Sequence, residues 1–230
     1  MMEELINNLI REGYLRTPLI IEAFRNINRE DFVLPDLKGE ADINAPLPIG
    51  YGQTISQPLT VAFMLELLQP RPGDRILDIG SGSGWQTALL AYCVSQQGNP
   101  KSQAPNPKQI QNSNDQNSKQ SGKVYSIERI PELIEFGKNN VAKYNFVEKG
   151  SVEFILGDGS KGLKKEAPFD KITAAAAAEK IPEEWKKQLK IGGRLVTPVR
   201  DSIWLLIKKD KNKFEEKEFP GFAFVPLIHD

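Results

Sequence analysis

Residues 76–84 read Ile76-Leu77-Asp78-Ile79-Gly80-Ser81-Gly82-Ser83-Gly84, and the apolar-rich stretch Trp85–Val94 follows. A short apolar run carrying one acid suits a buried parallel strand. Three alternating glycines break that run, and the apolar stretch then resumes with the length of a helix. Strand, tight turn and helix in this order open a doubly wound nucleotide-binding fold. Glycine, lacking a Cβ, allows positive φ in the turn and lets a ligand lie against the backbone. The helix beyond it presents free N–H groups to an anionic group. The spacing Gly80-x-Gly82-x-Gly84 is not the dinucleotide fingerprint G-x-G-x-x-G, and no Walker lysine follows, so this turn does not point to a diphosphate.

Outward from the turn, strand and helix patterns alternate. Strands are expected at 75–79, 123–127, 152–156, 169–174 and 193–199, and helices at 85–95, 131–144 and 182–190. Such alternation implies a parallel sheet covered on both faces. Ser202–Lys208 and Lys213–Glu218 read as two further strands joined at Asp210-Lys211-Asn212. Upstream, 3–12 and 18–28 read as short amphipathic helices, with Thr17-Pro18 as a cap and a first-turn proline. Residues 34–58 read as an ordered but irregular segment, and 59–69 as a helix ending before Pro70. The fold class is therefore α/β: one Rossmann-like domain spanning 1–230, with about seven mostly parallel strands. Residues 1–70 form a helical cap with a substrate loop, and 71–230 the sheet.

Gln96–Gly122 interrupts this pattern. It is almost entirely Gln, Asn, Ser, Pro and Lys, with only Ala104 and Ile110 as apolar side chains. Such a tract buries too little surface to offset the entropy of ordering it, so a mobile, dispensable insertion is expected.

The insertion matters for the next motif. In doubly wound folds an acid at the end of the second strand, roughly 20 residues after the glycine turn, accepts hydrogen bonds from ribose hydroxyls. Glu128 stands 48 positions after Gly80, and removing the 27 residues 96–122 leaves 48 − 27 = 21. The third strand ends at Gly157-Asp158-Gly159, where an acid between glycines suits an adenine amino group. Ahead of the sheet, Gly50–Pro58 carries the Gln53 and Gln57 amides and the Thr54 and Ser56 hydroxyls. These residues can offer neutral donors to a carboxylate, or can form an ordered loop capping the following helix.

Thirty basic and thirty acidic side chains cancel, so no global field draws the chain to nucleic acid or to an anionic membrane. No apolar run reaches the length of a membrane span and the N-terminus lacks a signal-peptide pattern, so a cytoplasmic monomer is expected. Cys93 is the only cysteine and falls on an apolar helix face, as a buried inert thiol. The lone His229, next to the C-terminus, is no obvious catalytic group, and no metal set is apparent.

Pro46–Pro58, the glycine turn, Tyr125-Ser-Ile-Glu-Arg129, Gly157–Gly159, Pro168-Phe-Asp170, Gln188–Leu195 and Phe224–Leu227 occur in the order found in protein-L-isoaspartate O-methyltransferases. The chain resembles that family from about Arg29 to its end. Thr54-Ile55-Ser56-Gln57-Pro58 is close to diagnostic, whereas the glycine turn resembles motif I of S-adenosylmethionine-dependent methyltransferases at large. The resemblance implies methyl transfer from S-adenosyl-L-methionine to the α-carboxylate of isoaspartyl residues in damaged proteins and peptides. It implies Ser56 as the active-site residue and Gln53, Thr54, Ile55 and Ser56 as substrate contacts. It further implies cofactor contacts at Asp78 (near the methionyl amino group), Gly80, Ser81, Gly82, Gly84, Glu128, Arg129, Asp158 and Gly159. The rival readings are a methyltransferase of this fold acting on a small carboxylate or RNA, and a cofactor-binding module without catalysis. The chain departs from the family in two places: residues 200–209 hold no glutamine after Pro198-Val199, and Ala174–Ala178 is a run of alanine.

Overall fold

The computed structural model describes residues 2–96 and 122–228. Apart from its end residues Gln96 and Gly122, the expected insertion lies outside the described residues, as does His229.

Two helices, α1 (Met2–Arg11) and α2 (Pro18–Asn26), open the chain and bury Leu5, Ile6, Leu9, Ile20 and Phe24 at helical spacing. Thr17 holds the N-cap position of α2, but its side chain does not cap. Instead Glu66, from α3 (Pro58–Leu68), accepts from the Arg16 and Thr17 N–H groups (2.8 and 2.7 Å) and from the Thr17 hydroxyl (2.8 Å). A buried carboxylate fifty residues away thus anchors the chain at the entry to α2.

Residues 34–58 are more regular than expected. Two 3-10 turns, Arg29–Phe32 and Pro35–Glu40, lead into an antiparallel hairpin of β1 (Leu47–Gly50) and β2 (Gln53–Ile55). Tyr51 and Gly52, both at positive φ (55° and 69°), form its two-residue turn, the combination that matches strand twist. Strands this short, one of them carrying a proline, leave too little alternation to read.

The main sheet runs β5 (Val152–Leu156), β4 (Lys123–Glu128), β3 (Arg75–Ile79), β6 (Phe169–Ala174), β7 (Leu189–Val199), β8 (Ser202–Asp210), β9 (Lys213–Pro220). From β5 to β7 all pairs are parallel, and β8 and β9 each join antiparallel to the strand before. Helices α4 (Trp85–Ser95), α5 (Pro131–Ala142) and α6 (Glu183–Gln188) follow β3, β4 and β6. Strand β7 begins four residues earlier than expected. The register shifts between Phe169 and Lys171, and Gly192 takes φ 81°, so a bulge carries the strand back to Leu189 and shortens α6.

Alternation along the strands sorts the core. Ile76, Val124 and Val196 face the cluster built with α1–α5, whereas Leu77, Ile79, Tyr125, Ile127 and Leu195 face Trp185 and Leu163. The chain turns left from β3 to β4 and later returns on the other side with β6. The crevice beyond the carboxyl ends of β3 and β6 is therefore the topological switch point, where open α/β sheets bind ligands.

Candidate active site

At the switch point Gly80, Gly82 and Gly84 all take positive φ (84°, 49° and 87°), as the alternating glycines required. The turn is tied to the sheet by Gly80 N–H donating to the Ile127 carbonyl (2.8 Å) and is closed by Gly84 N–H donating to the Ser81 carbonyl (2.8 Å). Helix α5 clamps it from outside. A Cβ on Gly84 would lie 2.7 Å from the Gly137 carbonyl oxygen, and the buried Asn140 amide donates to the Ser83 carbonyl (3.1 Å).

Two hollows adjoin this turn. The larger is open to solvent and spans about 500 Å³ of space between the β3 and β4 ends, with Ile79, Ile127 and Ile130 as apolar wall and Glu128, Gly157 and Gly159 beside them. Arg129 and Gln53 reach its edge, and the C-terminal segment Pro226–Ile228 covers it. That segment is held by Ala177, whose N–H donates to the Val225 carbonyl (2.8 Å) and whose carbonyl accepts from Leu227 N–H (2.7 Å). The smaller hollow, about 330 Å³, lies between Thr54-Ile55-Ser56 on one side and Gly80–Ser83, Gln86 and Ala175 on the other. Ser56 and the glycine turn line the smaller hollow together, and both hollows touch Gly80.

Glu128 is buried and held by three backbone donors. Oε1 accepts from Arg129 and Ile130 N–H (2.8 and 3.1 Å), and Oε2 accepts from Gly82 N–H (3.0 Å). A carboxylate offers about four lone-pair sites, so Oε2 keeps one for a further donor on the larger hollow.

Two predicted acids do not line either hollow. Asp158 caps the 3-10 turn after β5 by accepting from Ser160 N–H (2.9 Å), and its Oδ2 lies 3.2 Å from the Lys161 ammonium. Burial pushes this carboxyl up, but the Ser160 hydrogen bonds and the Lys161 charge outweigh burial and hold it below the usual carboxylate range. The flanking glycines, not the acid, face the hollow. Asp78 is completely buried behind the turn, where its Oδ1 accepts from Gln86 Nε2 (2.9 Å) and its Oδ2 from the Thr87 and Ser126 hydroxyls (2.6 and 3.3 Å). Burial pushes its carboxyl up to about 6, opposed by those three donors. Strand alternation carries the signal that would have found this: Asp78 shares the face of Ile76, toward α4.

Arg29 was missed as a site residue. Its side chain is fully buried, donates from Nη1 to the Ala41 and Ile43 carbonyls (2.9 and 3.2 Å) and from Nη2 to those of Ala45 and Ser56 (2.8 and 3.2 Å). The guanidinium sits 5.4 Å over the Trp85 ring. Burial lowers it to about 10, against the raising influence of Asp42, so it stays cationic at neutral pH. Arg29 thereby fixes the backbone of the serine that faces the glycine turn. The altered 200–209 region makes a two-residue turn at Arg200-Asp201, tied by Arg200 N–H to the Ala178 carbonyl, and lines neither hollow. Among the described residues no group of histidine, cysteine and carboxylate side chains could hold a metal ion, and no helix is long and apolar enough to cross a membrane.

Residues 1–230 match the family profile described as Protein-L-isoaspartate(D-aspartate) O-methyltransferase (PCMT). The Methanopyrus kandleri protein-L-isoaspartate O-methyltransferase is 39% identical over 230 residues, covering 98% of this chain and 90% of that protein. Its Staphylothermus marinus counterpart is 40% identical, with coverage of 97% and 92%. A Plasmodium falciparum structure, described as a protein of this kind in complex with S-adenosyl-L-homocysteine, superposes with a TM-score of 0.79 at 22% identity, covering 99% of this chain and 98% of that one. A second solved protein-L-isoaspartate O-methyltransferase gives 0.76 at 26% identity, covering 98% of this chain and 65% of the other.

Proposed function

The chain belongs to the protein-L-isoaspartate(D-aspartate) O-methyltransferase family, and from that premise we propose which of its residues carry the reaction. It is an S-adenosylmethionine-dependent enzyme that methylates isoaspartyl residues of damaged proteins, a repair activity. The observation that carries the residue assignment is the meeting of the Ser56 hollow and the larger, apolar-walled hollow at Gly80.

The residues of the larger hollow fit the cofactor. Ile79, Ile127 and Ile130 offer a flat apolar slot of the kind an adenine fills, and Glu128 Oε2 has the spare lone pair a ribose hydroxyl needs. The Ser81 hydroxyl is buried without a protein partner in the adjoining hollow, which suits a polar ligand atom there. When bound, S-adenosylmethionine supplies an electrophilic methyl group on a sulfonium.

An isoaspartyl α-carboxyl, with a pKa of about 3.5, is already ionised at neutral pH and needs no base. Among the described residues, no titratable side chain lines the Ser56 hollow. Nothing there can activate the hydroxyl as a nucleophile, so Ser56 acts by donating a hydrogen bond that orients the carboxylate. Both charges vanish as the methyl moves, so alignment and exclusion of water are what the protein contributes. We place the activity in the cytoplasm, consistent with the single, buried Cys93, whose thiol burial pushes up to about 12.

Radiolabelled methyl transfer to an isoaspartyl peptide, compared with its aspartyl twin, tests the assignment. Ser56→Ala removes one bond to a charged group, about 1.5–3 kcal/mol, and should lower kcat/KM about 10- to 150-fold while S-adenosylhomocysteine affinity stays near wild type. Full activity in that variant would remove Ser56 from the site. Glu128→Ala should weaken S-adenosylhomocysteine binding about tenfold or more, read by calorimetry. Unchanged affinity would refute the ribose assignment.

A further inference from the structure

We propose that Gln86 is a ligand-binding residue whose amide, aimed by the buried Asp78, presents its carbonyl oxygen to an N–H donor of a molecule bound in the Ser56 hollow. The inference rests on the methyltransferase reading and deepens it.

Three observations combine. Gln86 stands in the first turn of α4 and lines the same hollow as Ser56 and Ser81. Its Nε2 donates to Asp78 Oδ1 at 2.9 Å. Asp78 Oδ2 is already taken by Thr87 and Ser126, which leaves Oδ1 to Gln86. An ionised carboxylate can only accept, so the amide nitrogen must face it, and the other end of the same planar group, Oε1, points away from Asp78. No donor among the described residues bonds Oε1.

The outcome is a fixed neutral acceptor where the glycine turn meets the serine loop. A freely rotating amide would show either face and would favour neither donor nor acceptor. Asp78 removes that ambiguity without entering the hollow. An acceptor repels a carboxylate, so the anionic substrate group is kept to the Ser56 side. It attracts N–H, which two parts of the reacting pair carry: the methionyl ammonium of the cofactor, and a backbone amide of the peptide next to the isoaspartyl carboxylate.

Gln86→Met keeps length and removes both the acceptor and the donor to Asp78; Gln86→Lys removes the acceptor but keeps a donor for Asp78. Wild-type enzyme is first assayed with the isoaspartyl peptide and its aspartyl twin. Failure to discriminate them there sinks the methyltransferase reading itself, whatever Gln86 does. With wild type active, calorimetry of S-adenosylhomocysteine and the KM for the isoaspartyl peptide at saturating cofactor are measured for both variants. If the ammonium is the donor, Gln86→Met weakens S-adenosylhomocysteine about tenfold or more, as for a bond to a charged group. If the peptide amide is the donor, that affinity holds and KM rises roughly three- to tenfold. In either case Gln86→Lys shows the loss too, although it keeps a partner for Asp78, whereas Gln86→Met, which leaves Asp78 Oδ1 without a donor, also lowers the unfolding midpoint. Both constants unchanged in Gln86→Met, or a loss in Gln86→Met that Gln86→Lys does not share, would overturn the proposal.

Discussion

Gly84→Ala should lower the unfolding midpoint by about 10 °C and abolish measurable S-adenosylhomocysteine binding. Gly84 takes φ 87°, where a non-glycine residue costs roughly 1–2 kcal/mol. The added methyl would also stand 2.7 Å from the Gly137 carbonyl oxygen, 2.9 Å from Val141 Cγ2 and 3.1 Å from the Gly137 Cα. Overpacking of this sort costs about 1–3 kcal/mol more, and each kcal/mol is worth about 2–4 °C in a domain of this size. Relief requires α5 to move off the turn, which shifts the Ser83 carbonyl from Asn140 and the Gly82 N–H from Glu128. Gly150→Ala is the control. It also has positive φ (71°) but nothing within 4 Å of its Cβ, so it should show only the smaller backbone cost. Equal midpoints for the two variants, from scanning calorimetry, would remove the packing argument.

Arg29→Met should cost about 1–3 kcal/mol of stability or more, the range for leaving buried polar groups without a partner, and should reduce methyl transfer more than Ser56→Ala does. The guanidinium donates to four carbonyls of the 41–45 segment and of Ser56 at once, and a thioether removes that donor from those of Ala41, Ala45 and Ser56, Ile43 keeping only Ala45 N–H. The Ser56 backbone then loses its fixed position against the glycine turn. Arg29→Lys should not rescue, since a compact ammonium cannot reproduce the planar fork. Denaturant titration and the isoaspartyl-peptide assay check both statements. A loss under 1 kcal/mol with unchanged kcat/KM would show that the loop holds itself.

The local periodicities were legible because each is written in neighbouring residues. Arg75–Ile79, Val152–Leu156 and Phe169–Ala174 match their expected bounds, because short apolar-rich runs bounded by turn signals and too short for helices suit buried strands. The glycine turn was equally readable, since alternating glycines signal positive φ without any tertiary information. The 21-residue spacing to Glu128 emerged once the polar tract was subtracted, and it places that acid at the end of β4 beside the turn.

Contacts between distant segments were not legible. Nothing near Thr17 says that its donors go to Glu66, and nothing near Arg29 says that it will gather carbonyls from 41, 43, 45 and 56. Asp78 shows the boundary most sharply. The sequence alone determined that an acid sits in the strand before the glycine turn, inside a doubly wound sheet. Strand alternation puts it on the Ile76 face, but only the tertiary structure decided that its partners there are Gln86, Thr87 and Ser126, because a side chain's partners depend on which helix packs over its face of the sheet. Backbone conformation is chosen by the residue and its neighbours, whereas the partner of a buried polar group is chosen by whichever donor the folded chain brings within three ångströms.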